Sequence, residues 1–271
     1  MKNYVRLIFS LLIATSSYAK TALYESIDIS VSKHILSNGL TVLISEDHKA
    51  PIVAVNVMYK VGSRNEPVGY RGFAHLFEHL LYQGSENFND DFFKATEQLG
   101  ATDINGNTWF DRTNYFQTVP KNALDSILWL ESDRMGHFEK SISQSRLDEQ
   151  RNVVLNEMKQ RENIPYQGIL QSHLQESVYP VGHPYSWSPI GSKEDLERAS
   201  IETVRQWFHD YYGPNNAIVT IVGDVDTKEA LKKVTYYFGD IPASKKPYEN
   251  KVWVAKRSEQ KRDVAYDQVP L

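Results

Sequence analysis

One nine-residue stretch, Phe73 to Leu81 (FAHLFEHLL), places two opposed demands on any fold that contains it. On a helix at about 100° per residue, with Phe73 at zero, Leu76, Leu80, Phe77 and Leu81 form one apolar stripe from about 300° to about 80°. Glu78, His75 and His79 fall at about 140°, 200° and 240°, on the opposite side. The stripe must be buried, yet three ionisable groups share the far face. His75 and His79 are one turn apart, so both imidazoles can reach one ion. Two neutral imidazoles suit Zn²⁺, and Glu78, set to one side, is better placed to handle water than to be a ligand. An ordinary amphipathic helix with a solvated polar face carries the same pattern. His-x-x-Glu-His is the spacing of the inverted zinc-peptidase motif, and alone it leaves both readings open.

Zinc needs a third protein ligand. The chain has no cysteine, so that ligand must come from His, Asp or Glu. The stretch SRLDEQRNVVLNEMKQREN (145–163) offers one. With Leu147 at zero, Val153, Val154 and Met158 fall at about 240°, 340° and 20°, and Glu157 falls among them at about 280°. Glu149 and Glu162, at about 200° and 60°, lie on the edges of this stripe. A carboxylate among apolar residues is costly to bury without a partner, and a metal would supply one. Gln150, two turns before Glu157, could hydrogen-bond a ligand from behind. Arg161, four residues on, offers Glu157 an ordinary salt bridge instead, and spacing does not choose between the two partners.

The rest of the chain reads as strands, then helices, then a strand and a helix, which predicts an α+β fold in layers. Asn38-Gly39 between two apolar runs is a hairpin signal. PIVAVNVMYKVG alternates with Val53, Val55, Val57 and Tyr59 on one face, and DRTNYFQTVP reads as a strand closed by Pro120. NDDFFKATEQLG reads as a short capped helix ending at Gly100. Residues 121–178 are mostly helical in pattern, with a break at Ile164-Pro165. NNAIVTIVGDVD is a buried strand, and TKEALKKVTYYFGDIP an amphipathic helix. PASKKPYENK (242–251) reads as a linker, and residues 252–256 as a strand.

The N-terminus differs from the rest. Lys2 and Arg6, an apolar run from Leu7 to Ala14 and then Ser17-Tyr18-Ala19 read as a secretory signal peptide, with cleavage expected after Ala19, the competing reading being an uncleaved membrane anchor. The expected protein is exported, periplasmic or secreted, with no stable membrane insertion after cleavage. Without cysteine it has neither disulfides nor a lipoprotein anchor. A net charge of −4 gives no basic footprint for nucleic acid.

RGFAHLFEHLLYQGS together with RNVVLNEMKQRENIPYQG (151–168) resembles the pitrilysin or insulinase family of zinc metallopeptidases. The resemblance extends, in the family's order, through LSNGLTVLISEDHKAPIVAVNVMYKVGSRNE, NGNTWFDRTNYFQTVP, PIGSKEDL and YYGPNNAIVTIVGDVD. It implies a mixed, largely antiparallel sheet covered by helices, and one Zn²⁺ per chain held by His75, His79 and Glu157. Glu78 would be the general base of peptide hydrolysis. Asn105 and Gly106 would hold substrate backbone along an exposed edge strand. Gly106 stands where many relatives carry alanine, and Gln150 where some carry a glutamate behind the ligands. The family builds its chamber from two related halves. The chain is therefore expected to comprise a signal peptide (1–19), an N-terminal zinc peptidase domain (20–245), and a linker with the start of a missing second half (246–271). The expected function is an exported zinc endopeptidase acting on peptides or small proteins. A second half-domain subunit or self-association would complete it. The competing expectation is a non-catalytic exported subunit of the same fold that binds peptides or a partner.

Overall fold

Strand alternation sets the frame. In β3 (Ile52–Tyr59), Val53, Val55, Val57 and Tyr59 are all buried on one face, and in β5 (Thr113–Pro120) so are Thr113, Tyr115, Gln117 and Val119. The computed structural model describes residues 29–164 and 166–246, then 249, 252–256, 259–260, 262–264 and 266. Residues 1–19, expected as a signal peptide, lie outside the described residues. Contacts divide the chain into Met1–Ser30 and Val31–Leu271, and every element below belongs to the second unit. No helix among the described residues is long and apolar enough to cross a membrane.

Six strands form one sheet in the order β1-β2-β6-β3-β5-β4. The others are β1 (Ser32–Ile35), β2 (Thr41–Glu46), β4 (Thr102–Thr108) and β6 (Ala217–Gly223). Every pairing is antiparallel except β2 with β6, so the α+β reading and the largely antiparallel sheet both hold. The Asn38-Gly39 turn joins β1 to β2, with Gly39 in the left-handed region that glycine adopts without strain (φ 90°). The Asn38 side chain donates to the carbonyls of Phe238 (2.8 Å) and Ile241 (3.1 Å), at the end of the last helix. The Phe238 carbonyl, at the helix end, has no partner within the helix.

Eight α-helices lie among the described residues: α1 (Phe73–Leu80), α2 (Phe92–Gln98), α3 (Leu124–Gly136), α4 (Gln144–Glu162), α5 (Gln167–Val178), α6 (Lys193–Glu197), α7 (Ile201–Tyr211) and α8 (Thr227–Phe238). Leu76 and Phe77 of α1, Ile127 and Leu128 of α3, Val204 of α7 and Val234 of α8 join the buried strand residues in one core. Residues 252–256, expected as a strand, adopt no regular secondary structure, although Trp253 contributes its carbonyl to a 3.0 Å hydrogen bond with His183 Nε2. Val153, placed by periodicity in the buried stripe of α4, is exposed; Leu147, Gln150 and Val154 are its buried residues.

The start of α1 is fixed by long-range contacts. Its N-cap, Gly72, is left-handed (φ 96°), and an added Cβ there would lie 2.8 Å from the Ile190 carbonyl oxygen. No side chain caps the helix locally. Glu66 does so from a distance: Oε1 accepts the Ala74 N–H (2.9 Å) and Oε2 the Trp187 indole N–H (3.1 Å). A carboxylate at a helix N-terminus meets both the orphan N–H groups and the positive end of the dipole. Burial nevertheless dominates and pushes the Glu66 carboxyl up to about 8.

Two predictions come from this framework. Glu66 titrates near 4.5 when unfolded and near 8 when folded. Its protonated form therefore favours the folded state, and that contribution is full below pH 4.5 and is lost as pH rises toward 8. The stability of the wild type relative to Glu66→Gln should fall across this window, by at most about 1.4 kcal/mol per pH unit. Denaturant unfolding of both proteins from pH 4.5 to 8 reads the difference, and a pH-independent difference overturns the assignment.

The second concerns Gly106 in β4, where an added Cβ would meet the Tyr82 hydroxyl at 2.7 Å and Cε2 at 3.1 Å. Tyr82 is stacked on Phe93 (4.3 Å) and packed edge-on to Phe92 and Tyr115, so its ring has little room to yield. Gly106→Ala should destabilise the chain by about 1–3 kcal/mol. Adding Tyr82→Phe should recover part of that loss, and an unchanged unfolding midpoint in the single variant would show the contact to be slack.

Candidate active site

The far face of α1 is not solvated. All eight residues of α1 except His79 are buried, His75 and Glu78 included. α4 and β4 pack against this face. α4 brings Glu157 and Arg161, β4 brings Asn105, Gly106, Asn107 and Thr108, and a loop brings Pro189 and Ile190. These groups line one cleft of about 440 Å³, with Trp109 at its rim. The loop and α6 are tied to the start of α1, since Arg71 N–H donates to Asp195 Oδ2 of α6 (2.9 Å) and Trp187 of the loop reaches Glu66.

Glu157 Oε2 lies 3.6 Å from His75 Nε2 and 3.6 Å from His79 Nε2. One ligand atom from each of the three residues lies within 4.8 Å of the others, and this is the group of at least three such side chains found among the described residues. In a tetrahedral zinc site, ligand atoms at bond lengths of about 2.0–2.2 Å stand about 3.3–3.6 Å apart. The donor chemistry fits as well. Burial lowers the His75 imidazole to about 4, leaving it neutral with a lone pair to offer. The neighbouring His79 ring, helped by His75 and Arg161, draws Glu157 down to about 2, so it is an anion at neutral pH. Two imidazole nitrogens and a carboxylate oxygen on this spacing can hold a divalent zinc-like cation.

Glu78 stands apart from that triad. Burial raises its carboxyl above the usual range, and the Thr108 hydroxyl, donating to Oε2 at 2.5 Å, opposes the rise. A carboxylate held this way beside a cation site is placed to take up and release a proton. Thr108 has no signal in the sequence beyond strand alternation, which puts it with Gly106 on the face of β4 that meets α1.

Asn105 lies in the cleft wall, where its Oδ1 accepts the Gly106 N–H at 2.8 Å. β4 pairs with β5 alone among the described residues, which leaves its other edge open beside the cleft. Gln150 is buried on α4, but no hydrogen bond among the described residues joins it to His75, His79 or Glu157. Of the two partners left open for Glu157, Arg161 is engaged: Oε1 accepts from Arg161 Nη2, while Oε2 faces the two histidines.

Known proteins carry the same arrangement of sequence and fold. The zinc protease PqqE of Helicobacter pylori is 34% identical over 205 residues, covering 75% of this chain and 45% of the relative. The probable zinc protease PqqL of Haemophilus influenzae is 30% identical over 234 residues, covering 83% of this chain and 25% of the relative. The chain thus spans about half or less of the length of these relatives. A solved protease from Helicobacter pylori superposes with a TM-score of 0.74 at 31% identity, over 83% of this chain and 52% of that one. The periplasmic protease PqqL from Escherichia coli shares the fold, with a TM-score of 0.76 at 23% identity over 85% of this chain and 26% of that one. Residues 198–269 match the sequence profile described as the peptidase M16 inactive domain. Residues 41–184, which hold α1, α4 and β4, match that of insulinase, and the chain belongs to the insulinase family of peptidases, peptidase family M16.

Proposed function

We propose that this chain is the metal-binding part of a zinc-dependent endopeptidase. The observation that carries the reading is the convergence of His75, His79, Glu157 and Glu78 in one cleft beside the open edge of β4. His75, His79 and Glu157 would hold one zinc per chain. When bound, zinc would supply Lewis acidity toward the scissile carbonyl and toward the attacking water. The open edge of β4 would take an extended peptide by strand addition, with Asn105 and Gly106 presenting backbone and amide groups to it. Thr108 holds Oε2 of Glu78, which leaves Oε1 to take a proton from water and deliver it to the leaving amine nitrogen. Trp109, Pro189 and Ile190 would wall the reacting bond from bulk water on one side. A buried proton-transfer carboxylate beside the triad favours this over a non-catalytic binding subunit, which has no use for it.

The zinc domain of residues 20–245 would act together with the remaining length found in the relatives, supplied by a second subunit or by self-association. Export to the periplasm or beyond rests on the leader-like residues 1–19. It is supported by the periplasmic location named for the Escherichia coli protease of the same fold.

Glu78→Gln should keep zinc and lose about 10²–10⁴ in peptide turnover, because an amide cannot take the proton. Glu157→Gln should instead weaken zinc binding itself. Elemental analysis after chelation and reloading, with peptide assays on the same samples, separates the two. Metal lost from the first variant and retained by the second would reverse the roles. One zinc per chain is expected, and a stoichiometry unchanged by His75→Ala with His79→Ala removes the site.

Residues 20–271 alone should bind zinc but turn over peptides about 10²–10³ more slowly than when completed, a loss of the size typical when an oxyanion donor is removed. Titrating in a polypeptide that spans the rest of the relatives' length should raise turnover in proportion to complex formed. A verified monomer as active as the mixture overturns the requirement for a second half.

A further inference from the structure

Glu157 divides its carboxylate between two sets of neighbours. Oε2 stands equidistant from the two imidazoles, 3.6 Å from each Nε2. Oε1 is taken by Arg161 Nη2, from one turn further along α4. The side chain of Glu157 is about one quarter exposed, so packing alone does not fix its terminal torsion. That torsion is broad and roughly two-fold, and either oxygen, or both, would otherwise face the histidines. A glutamate also gives up substantial rotamer freedom when held in one geometry.

We infer that Arg161 is a positioning residue for the metal ligand Glu157: it holds Oε1 aside so that Oε2 alone is offered to the cation. This rests on the assignment of His75, His79 and Glu157 as the metal-holding residues. The guanidinium suits the task because its donors are fixed in a plane. It also carries a cost, since a cation next to the site repels another cation. Arg161 is nearly half exposed, and solvent screens this repulsion. Loss of an outer hydrogen-bond partner of a metal ligand typically lowers metal affinity by about 10–100-fold, so orientation should outweigh repulsion. The substitution Arg161→Lys keeps the charge but not the planar fork, and should retain part of the effect.

The test uses the full chain with Arg161→Ala and Arg161→Lys, reading Zn²⁺ affinity by chelator competition and the visible spectrum of the Co²⁺-loaded protein. Arg161→Ala should bind Zn²⁺ about tenfold or more weakly, and its Co²⁺ spectrum should change as the carboxylate reorients. Arg161→Lys should fall between it and the wild type on both readouts. The melting temperature of the metal-free protein identifies a purely structural role: a lowered value with unchanged affinity and spectrum overturns the inference. Tighter Zn²⁺ binding by Arg161→Ala also overturns it, because repulsion would then dominate. Glu157→Gln and His75→Ala serve as separate controls. If neither alters Zn²⁺ affinity, the ligand assignment itself has failed, whatever the Arg161 variants do.

Discussion

The structure turns on the burial of α1 on both sides. Its apolar stripe goes into the sheet core, and its other face, with His75 and Glu78, is covered by α4 and β4. Taking ionisable groups out of water costs several kcal/mol for each charge unless partners are supplied. The surroundings of α1 read as the supply of those partners: Thr108 for Glu78, Glu157 for the two imidazoles, and Glu66 for the bare amides at the helix start. A helix with a solvated polar face would need none of them.

The carboxyls of three glutamates around this one helix are shifted differently by their surroundings. Glu66, wholly buried among neutral donors, is raised to about 8. Glu157, flanked by two imidazoles and a guanidinium, is lowered to about 2. Glu78 is raised by burial, against the pull of the Thr108 hydroxyl. One residue type thereby serves as anchor, as candidate ligand and as candidate proton carrier. What differs is the local balance of desolvation against neighbouring charge.

Much of this is legible in the sequence because it depends on periodicity. The alternation of Val53, Val55, Val57 and Tyr59 marks the inner face of β3, and helical spacing brings His75, Glu78 and His79 onto one side of α1. The same reasoning picks out Glu157 as a carboxylate in need of a partner, although the salt bridge and the approach to the histidines use different oxygens rather than exclude one another. What escapes are contacts between elements remote in sequence. Thr108 reaches Glu78 across 30 residues, and Glu66 meets Trp187 across 121, pairings that no local pattern encodes. Periodicity misplaces Val153 because α4 is mostly polar, so its few apolar residues do not define its buried side. Residues 252–256 have strand-like composition but no strand partner among the described residues.

The place of β6 has a consequence for how the molecule comes into being. It lies between β2 and β3, with Val42 opposite Val219 and Val57 also opposite Val219, so two strands made early are joined only through one made late. Until residue 223 has emerged from the ribosome, β2 and β3 cannot share a sheet, and the floor beneath α1 is incomplete. Contacts this distant in sequence require large loops to close before any pairing is gained, which slows folding. During that interval the apolar stripe of the motif helix remains exposed to other chains, the circumstance in which newly made proteins aggregate or depend on chaperones. The residues poised for chemistry are thus synthesised long before the strand that allows them to be assembled.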